Sequence, residues 1–112
     1  MNLADGEVRF GNQQVTNVTL NLTGTVNGPL EMANSRLNVS FGQGGGLHVT
    51  SRLDAQGGEI HLQGSTLSIS GNMTADDASW IYFESGSINT GLPAFISGHK
   101  VGPGYLNGNP IP

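Results

Sequence analysis

Short strips of alternating apolar and polar residues dominate the first two thirds of this chain. Seven four-residue units share the pattern x-apolar-polar-apolar, and their first residues lie 10, 7, 10, 6, 7 and 7 positions apart. Alternation with a period of two places both apolar side chains on one face, so each unit predicts a short strand with one buried face. The units are residues 19–22, 29–32, 36–39, 46–49, 52–55, 59–62 and 66–69, and residues 7–10 look like an eighth.

Turn-forming residues fill the gaps between the units, mainly Gly, Asn, Ser and Gln. Short strands separated by tight turns are typical of a β-solenoid or fibrous β-helix, in which each strand covers one side of a narrow core. We therefore expect an all-β fold that forms an elongated shaft of the β-helix or β-prism type. Grouping the units in pairs predicts a coarser repeat that begins at residues 19, 36 and 52.

Three segments differ in composition. Residues 1–18 read as an N-terminal strand or attachment segment, 19–70 as the repetitive β shaft, and 71–112 as an aromatic and Gly/Pro-rich C-terminal cap. Because Pro removes backbone donors, we expect strand pairing to fade in the cap and the chain there to be irregular. Residues 73–79, with Thr74 as a possible N-cap, are the nearest candidate for a helix and are predicted to form at most one turn.

Few residues of the chain are charged, which restricts its partners. Charged residues make up 11% of the 112 residues, and the net charge is −4. Nucleic-acid binding needs clustered Lys and Arg, whereas the four basic residues here are scattered. There is no Cys, and no stretch is apolar enough to span a bilayer. We therefore expect neither a nucleic-acid partner nor membrane insertion.

The units supply few inward apolar side chains for a chain that has to fold alone. A short solenoid also leaves unpaired strand edges at both ends, which proteins normally cover. Three copies wound about a common axis would pair those edges and share one core. We therefore predict an intertwined homotrimer, with a capped single-chain solenoid as the alternative.

The opening phrase DGEVRFGN, at residues 5–12, resembles a phrase common in tail-fibre and tail-tip proteins of tailed bacteriophages. The following short-strand, Asn-, Thr- and Gly-rich sequence is also similar to phage fibre shafts and spikes, which are typically intertwined trimers. This resemblance implies a structural component of the virion, acting outside the cell, that helps to present a host-receptor-binding end. Its partners would be other tail proteins and a protein or glycan receptor. The His-x-His pair of metal-tipped spikes is absent, so no metal-bound tip is expected.

Five residues in the C-terminal third are candidates for receptor contact. Exposed aromatic rings stack on sugar rings or make protein contacts, and binding residues often lie on loops carried by a rigid scaffold. The alternative is that the aromatic residues plug the end of the shaft or build a subunit interface. The candidates are Trp80, Tyr82, His99, Lys100 and Tyr105.

No catalytic, cofactor or metal site is predicted, and we expect a protein that is not an enzyme. Asp76, Asp77 and Glu84 form the one carboxylate cluster, which could hold Ca²⁺ or cleave a glycoside, but a solvated turn is the favoured interpretation. His48 and His61 sit in the middle of their units and would bind a metal only if their strands stacked.

Two other functions stay open beside the fibre shaft. One is a single-chain β-solenoid fragment of a bacterial surface adhesin, with coils of about 16–20 residues. The other is a segment of a polysaccharide-degrading tailspike that uses the carboxylate cluster.

Overall fold

The computed structural model describes residues 2–9, 14–17, 19–39 and 46–111, with the backbone alone at residues 2–9, 14, 15 and 23. The described residues form strands and no helix, and accordingly contain no helix that could cross a membrane. The strands are β1 (Asn2–Arg9), β2 (Gln14–Thr16), β3 (Thr19–Asn27), β4 (Leu30–Val39), β5 (Gly46–Val49), β6 (Leu53–His61), β7 (Thr66–Ile69), β8 (Met73–Ala75), β9 (Ser79–Tyr82), β10 (Ser87–Thr90), β11 (Ala94–Ile96), β12 (His99–Val101), β13 (Gly104–Leu106) and β14 (Asn109–Ile111).

The strands stack into three sides of a solenoid. Side 1 contains β2, the first part of β4, the first part of β6, then β8 and β11. Side 2 contains the start of β3, the second part of β4, the second part of β6, then β9 and β12. Side 3 contains the end of β1, the end of β3, then β5, β7, β10 and β13.

All pairs within the three sides are parallel, and the chain makes about four turns. Residues that stack on one another in successive coils are 17 positions apart for Leu20 and Leu37, and 23 apart for Leu30 and Leu53. The predicted β-solenoid is therefore confirmed. The shorter spacing lies within the 16–20 residues expected of a solenoid formed by one chain, and the longer spacing lies above that range.

The core contains the apolar positions that the repeated units predict. All fourteen are at most 3% exposed: Leu20, Leu22, Leu30, Met32, Leu37, Val39, Leu47, Val49, Leu53, Ala55, Ile60, Leu62, Leu67 and Ile69. The polar residue in the middle of each unit lies on the outer surface instead. Of the eighth match, residues 7–9 belong to β1, and Phe10 lies outside the described residues.

The predicted grouping of units in pairs is wrong, because each coil contains three strand segments. The units at residues 29 and 36 join into the long strand β4, and those at 52 and 59 join into β6. A third segment, Gly24 to Asn27 at the end of β3, did not match the four-residue pattern because it has one inward side chain, Val26.

The corner between sides 1 and 2 explains how β4 and β6 turn without a break. Asn34 has φ 51° and Gly57 has φ 73°, and both conformations are left-handed. At Gly58, with φ 91°, an added Cβ would lie 2.1 Å from the carbonyl oxygen of Ser35 in the coil before. The corner thus depends on glycine at one coil and on Asn, which tolerates the left-handed region, at the other.

Residues 73–79 form no helix, and a turn closed by the bond from the Ser79 N–H to the Asp76 carbonyl, at 3.1 Å, is within the one turn predicted at most. Met73 and Ala75 pair with Leu53 and Ala55 of the coil before and are buried, which favours the strand β8 over a capped turn. The Gly/Pro-rich segment is also more regular than expected, since four short strands, β11 to β14, lie between residues 94 and 111.

The last coil, defined as residues 91–111, ends in a β-hairpin. Strand β14 pairs antiparallel with β13 and covers its outer edge on side 3. In the described part of the chain no strand pairs with the outer edge of β11 or β12. The principal extents are 32 × 29 × 24 Å, so four turns make a unit about as wide as it is tall. The elongated shape predicted for a shaft is not found in one copy.

One copy encloses its own core, which changes the argument for a trimer. Twenty apolar residues of the described ranges are at most 3% exposed within a single chain. Six of them come from outside the seven units: Val26, Met73, Ala75, Ile81, Phe83 and Ile88. The shortage of core residues inferred from the units alone therefore does not exist, whereas the open edges remain as a reason for association.

Candidate functional site

The outer surface of side 2 contains three of the five predicted contact residues. Outward positions follow each other from coil to coil in two rows. In the first row Arg36 is followed by Glu59, Trp80 and His99. In the second row Asn21, Asn38, His61, Tyr82 and Val101 follow each other. Two neighbouring parallel strands, β9 and β12, thus bring Trp80, Tyr82 and His99 together.

The aromatic side chains of side 2 stack along the solenoid axis; we call Trp80, Tyr82, His99 and His61 the aromatic ladder. The ring centroids of Trp80 and His99 are 4.0 Å apart, and those of His61 and Tyr82 are 4.5 Å apart. Trp80 and Tyr82 lie side by side at 6.1 Å, with their rings 15° from parallel. Each stacked ring covers one face of its neighbour, so the ladder holds successive coils together and is only partly open to a ligand.

Carboxylates flank the aromatic ladder. Nε2 of His61 lies 2.7 Å from Oε1 of Glu59, and its Nδ1 lies 3.5 Å from Oε1 of Glu84. Arg36 approaches Glu59 at 4.0 Å, with both side chains nearly half exposed. An exposed pair of this kind contributes little to stability. The His61 contacts, by contrast, fix a ring that is 13% exposed.

The remaining two predicted contact residues lie elsewhere. Lys100 pairs with Ile81, which places it at an inward register position of side 2. It is nevertheless exposed, since no coil follows β12 among the described residues. Tyr105 pairs with Ser87 on side 3 and is 54% exposed. The five candidates therefore do not form one site.

The two histidines weighed as metal ligands lie on different sides of the solenoid. His48 is on side 3, where its Nε2 lies 2.8 Å from Oγ of Ser70, whereas His61 is on side 2. In residues 2–9, 14–17, 19–39 and 46–111, no group of three or more metal-binding side chains is found.

Two carboxylates of the cluster at residues 76–84 accept hydrogen bonds from different backbone N–H groups. Oδ1 of Asp76 accepts hydrogen bonds from the backbone N–H groups of Gly57 and Ala78, at 2.9 and 3.2 Å, and lies 2.9 Å from Oγ of Ser79. The bond from Gly57 is the main cause of a lowered pKa of Asp76. Glu84 instead accepts a bond from the backbone N–H of Gln63, at 3.3 Å. Asp76 therefore stabilises a turn, and for this residue the structure agrees with the favoured interpretation of the cluster as a solvated turn.

Side 1 carries a groove that the sequence analysis missed. Its volume is about 690 Å³, and it is lined by residues 54–56, 74–76 and 95–97. Asp54, Thr74 and Phe95 stack in three successive coils. Their separations of 20 and 21 residues are the sequence period from which the groove could have been predicted. Grouping the units in pairs obscured that period.

Side 1 also has its own charge pairing. Arg52 donates a hydrogen bond from Nε to Oδ2 of Asp54, at 3.0 Å, and lies 3.4 Å from Glu31. Oδ1 of Asp54 accepts a bond from Oγ1 of Thr74, at 2.8 Å. Both oxygens of Asp54 are therefore engaged, whereas Asp76 uses Oδ1 alone.

These features define a three-sided parallel β-solenoid with polar and aromatic rows on its outer surface. Comparison with protein-family models, with curated proteins and with solved structures found no match for this chain.

Proposed function

We propose that this chain is a non-enzymatic structural segment of a phage tail fibre or tail tip, in which the solenoid serves as a rigid shaft unit and helps to present a host-receptor-binding end. The opening phrase at residues 5–12 and the Asn-, Thr- and Gly-rich sequence that follows it support the phage assignment by resemblance. Parallel ladders in all three sides support the mechanical role, since every coil is hydrogen-bonded to its neighbours.

One observation carries the proposal: the exposed apolar side chains gather at one end. Five large apolar residues of the described ranges are substantially exposed, and four of them lie in the last coil: Leu92, Phe95, Val101 and Tyr105. Exposed apolar groups beside unpaired strand edges are typical of surfaces that bind a partner. The last coil is therefore the end that meets another copy, another tail protein or the receptor.

The first experiment measures the mass of the chain in solution by light scattering at micromolar concentration. We expect three times the 11.6 kDa of one chain. Leu92→Asn in the last coil is expected to shift the mass toward one chain, because Leu92 is 57% exposed and its apolar surface would lie in the contact. Asp77→Asn, an exposed change in an earlier turn, is the matched control and should leave the mass unchanged.

A second experiment tests the location. Antibodies raised against the chain should label the tails of phage particles whose genome encodes it, seen by electron microscopy. Label on the capsid, or none on the particle, would rule out the tail assignment.

A bacterial surface adhesin is the second candidate, and one observation favours it. A single copy buries twenty apolar residues of the described ranges and pairs its strands within itself, as an adhesin solenoid would. A clean monomer in the mass measurement would support the adhesin and remove the trimer.

A further inference from the structure

The groove on side 1 has the size of a small-molecule site. Its volume of about 690 Å³ falls within the range of about 300–1,000 Å³ that is typical of ligand pockets. It extends over three coils, because residues 54, 74 and 95 stack in successive strands. Strands in one sheet lie about 4.8 Å apart, so the groove offers the same kind of position at regular steps along the axis.

The groove combines polar groups with an exposed ring. Thr74, Asp76 and Ser97 place hydroxyl and carboxylate groups on it, and each of these residues is exposed. Phe95 is 60% exposed, and none of the stacked ring pairs of the described residues includes it. A ligand that fits must present hydroxyl groups and an apolar face together, which is the chemistry of a pyranose sugar.

The backbone of the groove argues against a peptide. Strands β6, β8 and β11 are paired with one another across it, so among them only the outer edge of β11 has N–H and C=O groups that no described strand uses. An extended peptide that lies across the three coils would gain no main-chain hydrogen bonds from the paired strands, and these bonds supply much of the affinity when a strand is added to a sheet. A saccharide needs only the side chains.

Charge selects among saccharides. Arg52 neutralises Asp54, whereas no cation of the described residues pairs with Asp76. All three contacts of Asp76 use Oδ1, and in the described part of the chain nothing contacts Oδ2. Oδ2 is therefore an acceptor for a sugar hydroxyl, and its charge repels uronic and sialic acids.

We propose that the groove on side 1 binds a neutral oligosaccharide that lies across three coils, with a sugar face on Phe95 and hydroxyls donating to Asp76. This inference names the ligand class of the proposed receptor contact, and in that respect it rests on the proposed function. It places the glycan on side 1 rather than on the aromatic ladder of side 2, whose rings already stack on each other.

The test uses the full chain labelled with ¹⁵N and four neutral hexasaccharides as probes: maltohexaose, cellohexaose, mannohexaose and N-acetylchitohexaose. Hexagalacturonate is the acidic comparison. We expect at least one neutral probe to shift amide signals of residues 54–57, 74–76 and 95–97 at up to about 10 mM, a weak affinity of about −3 kcal/mol. Hexagalacturonate should shift them less. No shift of these signals by any neutral probe, or an equal response to the acid, overturns the proposal.

The variants test whether binding depends on the ring of Phe95 or on any exposed aromatic ring. Phe95→Ala is expected to weaken binding at least tenfold, and Phe95→Tyr, which keeps the ring, should retain it. Tyr105→Ala, a ring of similar exposure on side 3, is the matched control and should bind like the original chain. If Phe95→Ala fails to fold, Phe95→Leu keeps the apolar bulk and should still lose the affinity. Unchanged binding in Phe95→Ala or in Phe95→Leu overturns the proposal, and so does a loss in Tyr105→Ala equal to the loss in Phe95→Ala.

The two proposals fail separately. If the chain is a monomer that binds a neutral probe through Phe95, the trimeric fibre is overturned and the proposal for the groove stands. If the chain is a trimer on phage tails and its groove binds no neutral probe, the proposal for the groove alone is overturned.

Discussion

Oδ1 of Asp76 lies 2.9 Å from the backbone nitrogen of Gly57, which belongs to the coil before, and accepts a hydrogen bond from it. Gly57 is buried and has a left-handed φ of 73°, so its N–H at the corner points away from the regular ladder. The carboxylate therefore satisfies a backbone donor at this corner and joins two coils. Along the sides of the solenoid, the strand of the next coil has that role.

Replacing Asp76 should destabilise the fold by removing the charged and shorter of the two hydrogen bonds that the Gly57 N–H donates, which leaves that donor only Oγ of Ser79, at 3.1 Å. We expect Asp76→Ala to lower the free energy of unfolding by about 1–3 kcal/mol, measured by urea denaturation. Asp76→Asn should cost less, because the amide oxygen still accepts a bond. Asp77→Ala, at the neighbouring exposed position, is the control and should stay within about 0.5 kcal/mol. Equal losses at Asp76 and Asp77 would contradict the role of the corner.

The same contacts predict a dependence of stability on pH. The hydrogen bond from Gly57, helped by those from Ser79 and Ala78 and opposed by partial burial, lowers the pKa of Asp76 from its ordinary value of 3.8. Because the pKa is lower in the folded state, the stabilisation is complete above the unfolded value and is lost as the pH falls through the folded value. Urea midpoints should therefore drop below about pH 4, and the gap between the original chain and Asp76→Asn should narrow there. A gap that widens at low pH would reverse the assigned sign.

Substitutions at Gly58 and Gly108 distinguish two costs of adding a side chain, which are backbone strain and steric overlap with a neighbouring coil. Both have positive φ, at 91° and 83°, so Ala at either position should lose about 1 kcal/mol to backbone strain. A Cβ at Gly58 would also meet the carbonyl oxygen of Ser35 at 2.1 Å, whereas nothing lies within 4 Å at Gly108. Gly58→Ala should thus be clearly more destabilising, or prevent folding, while Gly108→Ala folds normally. Thermal unfolding followed by circular dichroism compares them, and equal effects would contradict the close approach of the two coils.

The stacked pair of Trp80 and His99 should couple the last coil to the one before it. A double-mutant cycle with Trp80→Ala and His99→Ala should give an interaction energy of about 0.5–1.5 kcal/mol, because the centroids are 4.0 Å apart. Trp80→Ala combined with Tyr105→Ala, on another side, is the control cycle and should be additive within about 0.5 kcal/mol. Additivity in the first cycle would mean that the rings touch without stabilising the coil.

The local pattern predicted the core because burial of alternate residues is decided within each strand. Leu37 and Ile60 could be placed inward from their immediate neighbours alone, and both are buried. The number of strands in each coil depends on where the chain turns. Asn34 and Gly57 bend long strands through left-handed φ values, which alternation does not reveal.

The candidate site was predictable only in part, for the same reason. Alternation placed Trp80 and Tyr82 on one face, as found. Their neighbour His99 lies 19 positions beyond Trp80, and Phe95 lies 21 beyond Thr74, so both partnerships required the length of the coil. Lys100 occupies an inward register position that stays exposed because the stack ends there.

The hairpin of β13 and β14 has a consequence for how copies can add to one another. A second molecule placed on the last coil would find free strand edges at β11 and β12, but on side 3 it would face β14, which runs in the opposite direction. A seamless continuation of the parallel stack needs all three sides, so this one reversed strand interrupts templated polymerisation. Side 3 of the last coil therefore offers a second copy no parallel edge, and β14 discourages edge-to-edge addition into open-ended fibrils on that side.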